Sequence, residues 1–231
     1  MKVAVVIPAL NEEENIGSVL SEIPRELIHS IYVADNGSTD RTAEIAREAG
    51  AVVVEAPIKG YGFACLSALE QLPPEIDTIA FMDADGSDCP AQLGELLEPL
   101  RLGQAELVIG SRIRGEREPG AMIWHAVFGN MLATFFIRLL YGVQVTDLGP
   151  FRVIRRDVLD SLNMERAAFR WTTEMIVKAA RYPYRIVEIP TDYRCRGGES
   201  KISGTLVGSV RAAYSILQTV FRYVRWTPER R

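Results

Sequence analysis

The chain has 231 residues, 48% of them hydrophobic, and a formal net charge of -4, enough for one sizeable core without a second domain. That small negative charge, with lysines and arginines not massed in the first half, argues against nucleic acid as a partner on bulk electrostatics. The three cysteines (Cys65, Cys89, Cys195) are odd in number and lack metal-ligand spacing, and no leader-like segment precedes the first apolar run, so a reducing, cytoplasmic setting is expected.

Lys2–Ile7 is a β-branched run that reads as a buried strand ended by Pro8. Asn11 is the expected N-cap of a following helix, with Glu12, Glu13 and Glu14 in its first turn and Ile16, Val19, Leu20 and Ile23 at helical spacing. A second unit follows: strand Ile31–Ala34, the turn Asp35-Asn36-Gly37-Ser38-Thr39-Asp40, and a helix over 41–49 closed by Gly50. Strand Val52–Val54 then leads to Lys59-Gly60-Tyr61-Gly62 and another helix. Strands alternating with helices predict a three-layer α/β fold with a mostly parallel sheet, whose ligands sit beyond the carboxyl ends of the strands. Asn11, Asp35, Lys59 and Asp85 all fall at such ends.

Thr78–Met82 reads as a further buried strand, and Asp83-Ala84-Asp85 follows it. Two carboxylates at a strand tip suit a hard divalent ion that takes oxygen ligands from protein and phosphate together. With no His or Cys cluster nearby, Mg²⁺ or Mn²⁺ is the expected metal, held by Asp83 and Asp85. The competing reading is an acidic surface turn. Ser87 and Asp88 either supplement the site or cap the helix beginning near Pro90, and capping is expected of one of them.

In the second half, Trp124, Val127, Phe128, Met131, Leu132, Phe135, Phe136, Leu139 and Leu140 make a wide apolar stripe at helical spacing, interrupted by His125, Asn130 and Arg138. Three polar groups argue against a membrane span and leave an interfacial or a buried helix. Val143–Thr146 is a short run that would place Asp147 at a strand end. Thr172 or Thr173 would cap a helix holding Glu174 in its first turn, and Arg194, Arg196 and Lys201 flank a glycine-rich loop. Residues 205–224 form an amphipathic pattern with Arg211, Arg222 and Arg225 on or beside it, suited to a membrane surface, the core or a partner subunit.

The motifs Val6–Glu13, Asp35–Asp40, Lys59–Gly62, Asp83–Asp85 and Gly110-Ser111-Arg112, in this order and spacing, resemble the family 2 glycosyltransferases. Asp147–Arg152 and Gly198–Lys201 look like the branch containing dolichyl-phosphate mannose and polyprenyl-phosphate glucose synthases. The resemblance implies a GT-A fold over 1–203, with a nucleotide-sugar half at 1–112, an acceptor half at 113–203 and a C-terminal helix over 204–231. It implies inverting, metal-dependent transfer of glucose or mannose from a UDP- or GDP-sugar to a polyprenyl or dolichyl phosphate. Pro8, Ala9, Asn11, Glu12 and Asp35 would surround base and ribose; Lys59, Arg194, Arg196 and Lys201 would meet the donor diphosphate; Asp83 would touch ribose or metal, and Asp85 the metal.

Arg112 and His125 would face the acceptor, although relatives that use a lipid phosphate carry arginine and serine where His125 and Gly129 stand here. Asp147 is the expected base, with Glu174 its rival. The protein would then work at the inner face of the cell membrane through transient contact. Transfer to a soluble hydroxyl or glycan, a noncatalytic nucleotide-sugar-binding module, and a nucleotidyltransferase, which would release pyrophosphate in place of nucleoside diphosphate, are the alternatives.

Overall fold

A computed structural model describes residues 1–165, 170–197 and 206–227, with side chains omitted at 206–211. Its elements alternate as anticipated: β1 (Val3–Ala9), α1 (Ile16–Glu22), β2 (Ser30–Asp35), α2 (Thr42–Glu48), β3 (Val52–Glu55), α3 (Tyr61–Leu69) and β4 (Thr78–Phe81). Then come α4 (Leu93–Arg101), β5 (Leu107–Ser111), α5 (Trp124–Tyr141), β6 (Arg152–Arg155), α6 (Arg156–Ser161), α7 (Trp171–Ala179), β7 (Ile186–Pro190) and α8 (Leu206–Arg222). One seven-stranded sheet runs β3-β2-β1-β4-β6-β5-β7. All neighbours are parallel except β6, which is antiparallel to both β4 and β5.

Successive side chains of a strand leave opposite faces of a sheet, and β1 shows the consequence. Val3, Val5 and Ile7 join Ile16, Leu20, Ala46, Leu93 and Leu96 in one core, beneath α1, α2 and α4. Ala4 and Val6 join the other, with Cys65, Ala133, Ile137, Met175 and Val220 from α3, α5, α7 and α8. The three layers follow from that division. The chain moves from β1 to β2 and β3 on one side and returns to β4 on the other, so the carboxyl ends of β1 and β4 frame the crevice where such sheets bind ligands. Asp83 lies two residues beyond the end of β4.

Three local expectations are corrected. Asn11 does not cap α1, whose N-cap is Asn15, and the three glutamates lie before the helix. Asn11 takes a left-handed conformation (φ 50°); its side-chain oxygen accepts the Thr39 amide at 2.8 Å, while the Glu12 amide donates to the Thr42 hydroxyl at 2.7 Å. Those groups join the loop after β1 to the loop after β2, so helix dipole and capping preferences lose to tertiary bonds. Val143–Thr146 is not a strand, because the amides of Thr146 and Asp147 both donate to the Glu188 carboxylate, at 2.6 and 2.9 Å. Neither Ser87 nor Asp88 caps the helical turn at Pro90, whose N-cap is Cys89. Both are used inside the acidic loop itself, as described next.

Candidate active site

The loop after β4 folds on its own carboxylates. The Asp85 Oδ1 accepts the Ser87 hydroxyl at 2.5 Å and the Ser87 amide at 3.0 Å, and the Asp88 Oδ2 accepts the Asp83 amide at 3.1 Å. Asp85 and Asp88 are buried. Burial, then the charges of Asp88 and Asp85, push the Asp83 carboxyl well above the ordinary carboxylate range. Burial pushes Asp88 up to about 7, against the Asp83 amide and Arg112, which pull it down. Carboxylates that resist ionisation together are what a cation relieves. Among the described residues no three His, Cys, Asp or Glu side chains converge as a complete metal cage. The oxygen-only donors of Asp83 and Asp85 therefore fit a hard divalent ion that draws its other ligands from elsewhere, such as phosphate.

The two arginine neighbours of this loop have different tethers. Arg196 Nη1 lies 3.2 Å from Asp85 Oδ2 and bonds the Tyr193 side chain. Arg194 turns away to a carboxylate on α1, Glu22, at 2.9 Å. Arg112 spreads over Asp147, donating Nε to Oδ2 and Nη2 to Oδ1, each at 2.7 Å. The other side of that guanidinium lies over the Tyr193 ring, 5.0 Å from its centroid.

Asp147 is fully buried and also accepts the amides of Arg112 and Leu148 at 2.8 and 2.7 Å. Burial alone would raise its pKa, but the Arg112 charge and these bonds overcome it and hold the carboxyl below its ordinary value. That is the opposite of a base poised near neutrality. Glu174 is engaged elsewhere: it is buried on α7 with its carboxylate 2.6 Å from the Lys178 ammonium, which lies over the rings of Tyr223 and Trp226. The structure thus gives each expected base an ion-pair partner and does not bring Glu174 to the acidic loop.

The remaining sequence candidates divide. Pro8 and Ala9 end β1 beside Ala34 and Asp35 of β2. The Asp35 carboxylate accepts the Ser38 amide at 3.1 Å, the turn role that its sequence also allowed. Lys59 is exposed in the loop before α3. His125 stacks edge-on against Trp124 with its Nε2 buried and unpartnered, and Gly129 faces Ala213 of α8. Lys201 lies outside the described residues.

Three residues that sequence reasoning left without a role organise the site. Asn36 donates to the carbonyls of Ala56 and Ile58 at 2.7 and 2.8 Å and accepts the Gly60 amide at 2.7 Å, pinning the Lys59 loop to the end of β2. Gly60 has φ 137°, a conformation open to glycine. Arg152, fully buried, donates to the carbonyls of Leu148, Gly149 and Thr172 and so shapes the turn behind Asp147. Tyr193 separates Arg112 from Arg196. The one signal available was Arg152, a charge between the apolar Phe151 and Val153 at the start of β6.

The family model described as glycosyl transferase family 2 matches residues 4–162, which take in both halves of the crevice. The chain belongs to that family. Over 205 residues it is 38% identical to the low-salt glycan biosynthesis hexosyltransferase Agl6 of Haloferax volcanii, covering 86% of this chain and 49% of that one; it thus spans about half the length of that relative. It is 32% identical over 225 residues to an undecaprenyl-phosphate mannosyltransferase of Micrococcus luteus, covering 90% of each. Among solved structures it resembles glucosyl-3-phosphoglycerate synthase from Mycobacterium tuberculosis, crystallised with Mn²⁺, UDP and phosphoglyceric acid. The TM-score is 0.77 at 22% identity over 99% of this chain and 80% of that one, a likeness of fold. This family 2 glycosyltransferase has the GT-A architecture its motifs implied.

Proposed function

We propose that the protein transfers a hexose, with inversion, from a UDP- or GDP-sugar to a polyprenyl phosphate, aided by Mg²⁺ or Mn²⁺. The observation that carries the acceptor class is the Arg112–Asp147 pair: the carboxylate expected as base is spent on holding a guanidinium. Two of the five guanidinium donors are used on side-chain oxygens, leaving others for an anion. A sugar hydroxyl must lose a proton as it attacks, whereas a phosphate monoester, with a second pKa near 6, is already largely dianionic at neutral pH. Such an acceptor needs orientation and charge balance, which Arg112 supplies.

The donor side follows from the acidic loop. Asp83 and Asp85 would hold the ion, which when bound stabilises the negative charge that grows on the departing nucleoside diphosphate. Asp35 and the interlocked loops around Asn11 and Glu12 would receive base and ribose, with Lys59 and Arg196 beside the phosphates. The lipid part of the reading rests on α5. Trp124, Phe128, Met131, Phe135 and Leu139 are exposed along one face, opposite the Asn130 side chain that binds Thr146 and Leu148 next to Asp147. A polyprenyl chain at the membrane surface would thus meet apolar side chains while its phosphate reaches Arg112.

The test is a transfer assay with UDP-glucose and GDP-mannose, undecaprenyl phosphate or a soluble sugar without phosphate as acceptor, and added Mn²⁺ or Mg²⁺. Lipid-linked sugar and free nucleoside diphosphate are expected from the wild type, and loss of both from Asp85→Ala with its melting temperature retained. Transfer to the soluble hydroxyl acceptor alone would replace the lipid reading.

A further inference from the structure

Residues 194–197 are laid across the acidic loop by backbone bonds. The Arg194 amide donates to the Ser87 carbonyl at 2.9 Å, and the Gly197 amide donates to the Asp85 carbonyl at 3.0 Å. The Gly197 carbonyl accepts Asn15 Nδ2 at 3.1 Å, and any Cβ at 197 would collide with the Asn15 side chain. This platform is therefore fixed between α1 and β4, and the guanidinium of Arg196 is presented to Asp85 from it. Asp85 Oδ1 is satisfied by Ser87 and Oδ2 by Arg196. The aspartate has no oxygen that is not already bonded or paired.

A divalent ion at ligand distance from Asp85 Oδ2 would stand within a few ångströms of a guanidinium that contacts the same atom. In a partly buried site such like-charge proximity is strongly unfavourable. We propose that Arg196 and the divalent ion exchange places on Asp85. The arginine is the carboxylate's counter-ion before the ion binds, and is then transferred, through side-chain rotation about its fixed backbone, to the donor diphosphate. The proposal rests on Asp85 being the metal-binding aspartate, and it adds a coupling: each ligand removes a cost to the other. The ion frees the arginine that the diphosphate needs, and the diphosphate accepts the arginine that the ion must displace. Binding of the two is then cooperative, and reciprocally so. The Tyr193 side chain, which bonds Arg196, is the second partner that holds it before the exchange.

The experiment titrates Mn²⁺ alone into the full-length protein, following free Mn²⁺ by electron paramagnetic resonance, and repeats the titration with UDP or GDP present. For Arg196→Gln, Mn²⁺ alone should bind more tightly than to the wild type, by up to about fivefold, the scale of one removed ion pair, while the tightening produced by the diphosphate shrinks. Arg196→Lys keeps the counter-charge and should stay near the wild type for Mn²⁺ alone, which distinguishes charge competition from altered packing. Unchanged or weaker Mn²⁺ binding to Arg196→Gln, with Asp85-dependent binding in the wild type, overturns the exchange but leaves the metal site standing. Absence of Asp85-dependent binding in every variant overturns both.

Discussion

Asp147 carries hydrogen bonds from Nε, Nη2 and the backbone amide of Arg112 and from the Leu148 amide. Its pKa is lower in the folded chain than in the unfolded one, against the opposing effect of burial. The folded state therefore binds fewer protons at this position, so the stability it contributes is present above about pH 4 and is lost as pH falls through the folded value. Asp147→Asn should remove that contribution and leave a buried arginine without its partner, at about 3 kcal/mol. Urea titrations from pH 7 to pH 3 should show the variant less stable at neutrality and less sensitive to acid than the wild type. A variant of wild-type stability at pH 7 would mean that Arg112 finds another acceptor. The pairing itself was hidden in the sequence, since Arg112 and Asp147 lie in different motifs and each reads as a free functional group. Asn36 and Tyr193 were hidden for the same reason: their partners are set by the tertiary fold, whereas Asp83 and Asp85 are singled out in the sequence by following a buried apolar run.

Among the elements, the first half of the chain was legible because each strand is an apolar run and each helix has its own periodicity, so alternation alone dictates a parallel sheet. The second half was less so. Nothing in Arg152–Arg155 signals that it enters between β4 and β5 in the antiparallel sense, a choice made by which ladder positions are open. The surroundings of Glu174 were hidden for a related reason: a first-turn acid of α7 looks available in the sequence, while in the fold it pairs with Lys178, over which the turn after α8 lays Tyr223 and Trp226. The pair is almost wholly buried, with Glu174 1% and Lys178 3% exposed. Glu174→Gln leaves the ammonium uncompensated, at about 3 to 5 kcal/mol, and should lower the melting temperature by about 6 to 20 °C. Removing both charges with Glu174→Gln and Lys178→Met should recover most of that loss. Turnover per folded molecule should survive in the double variant, and its abolition there would return Glu174 to the chemistry.

Over the whole molecule, the apolar face is placed where the proposed acceptor would require it. Trp124, Phe128, Met131, Phe135 and Leu139 of α5 lie on the side away from the core, and Tyr214 and Phe221 of α8 are also exposed, 69% and 51%. The two helices are joined by the Phe136–Phe221 contact, 5.2 Å between ring centroids. No helix among the described residues is long and apolar enough to cross a membrane; under the proposed function this face would lie along a bilayer with its aromatic residues at headgroup depth. The exposed cations Arg138 and Arg225 each add about 1 kcal/mol near an anionic surface, a contribution that salt screens, whereas Arg222 is paired with Glu165 at 3.0 Å. Sedimentation with vesicles of phosphatidylglycerol and phosphatidylcholine should therefore show binding at low salt that weakens as salt rises. The pair Phe128→Ser and Leu139→Ser should reduce it by at least about tenfold, since each buried side chain of this size is worth about 1.5 to 3 kcal/mol. Their melting temperature should be unchanged, because neither residue is in the core. Binding that is unaffected by these substitutions, or a wild type that ignores vesicles and instead forms dimers that the substitutions dissolve, would assign the face to a second copy of the chain.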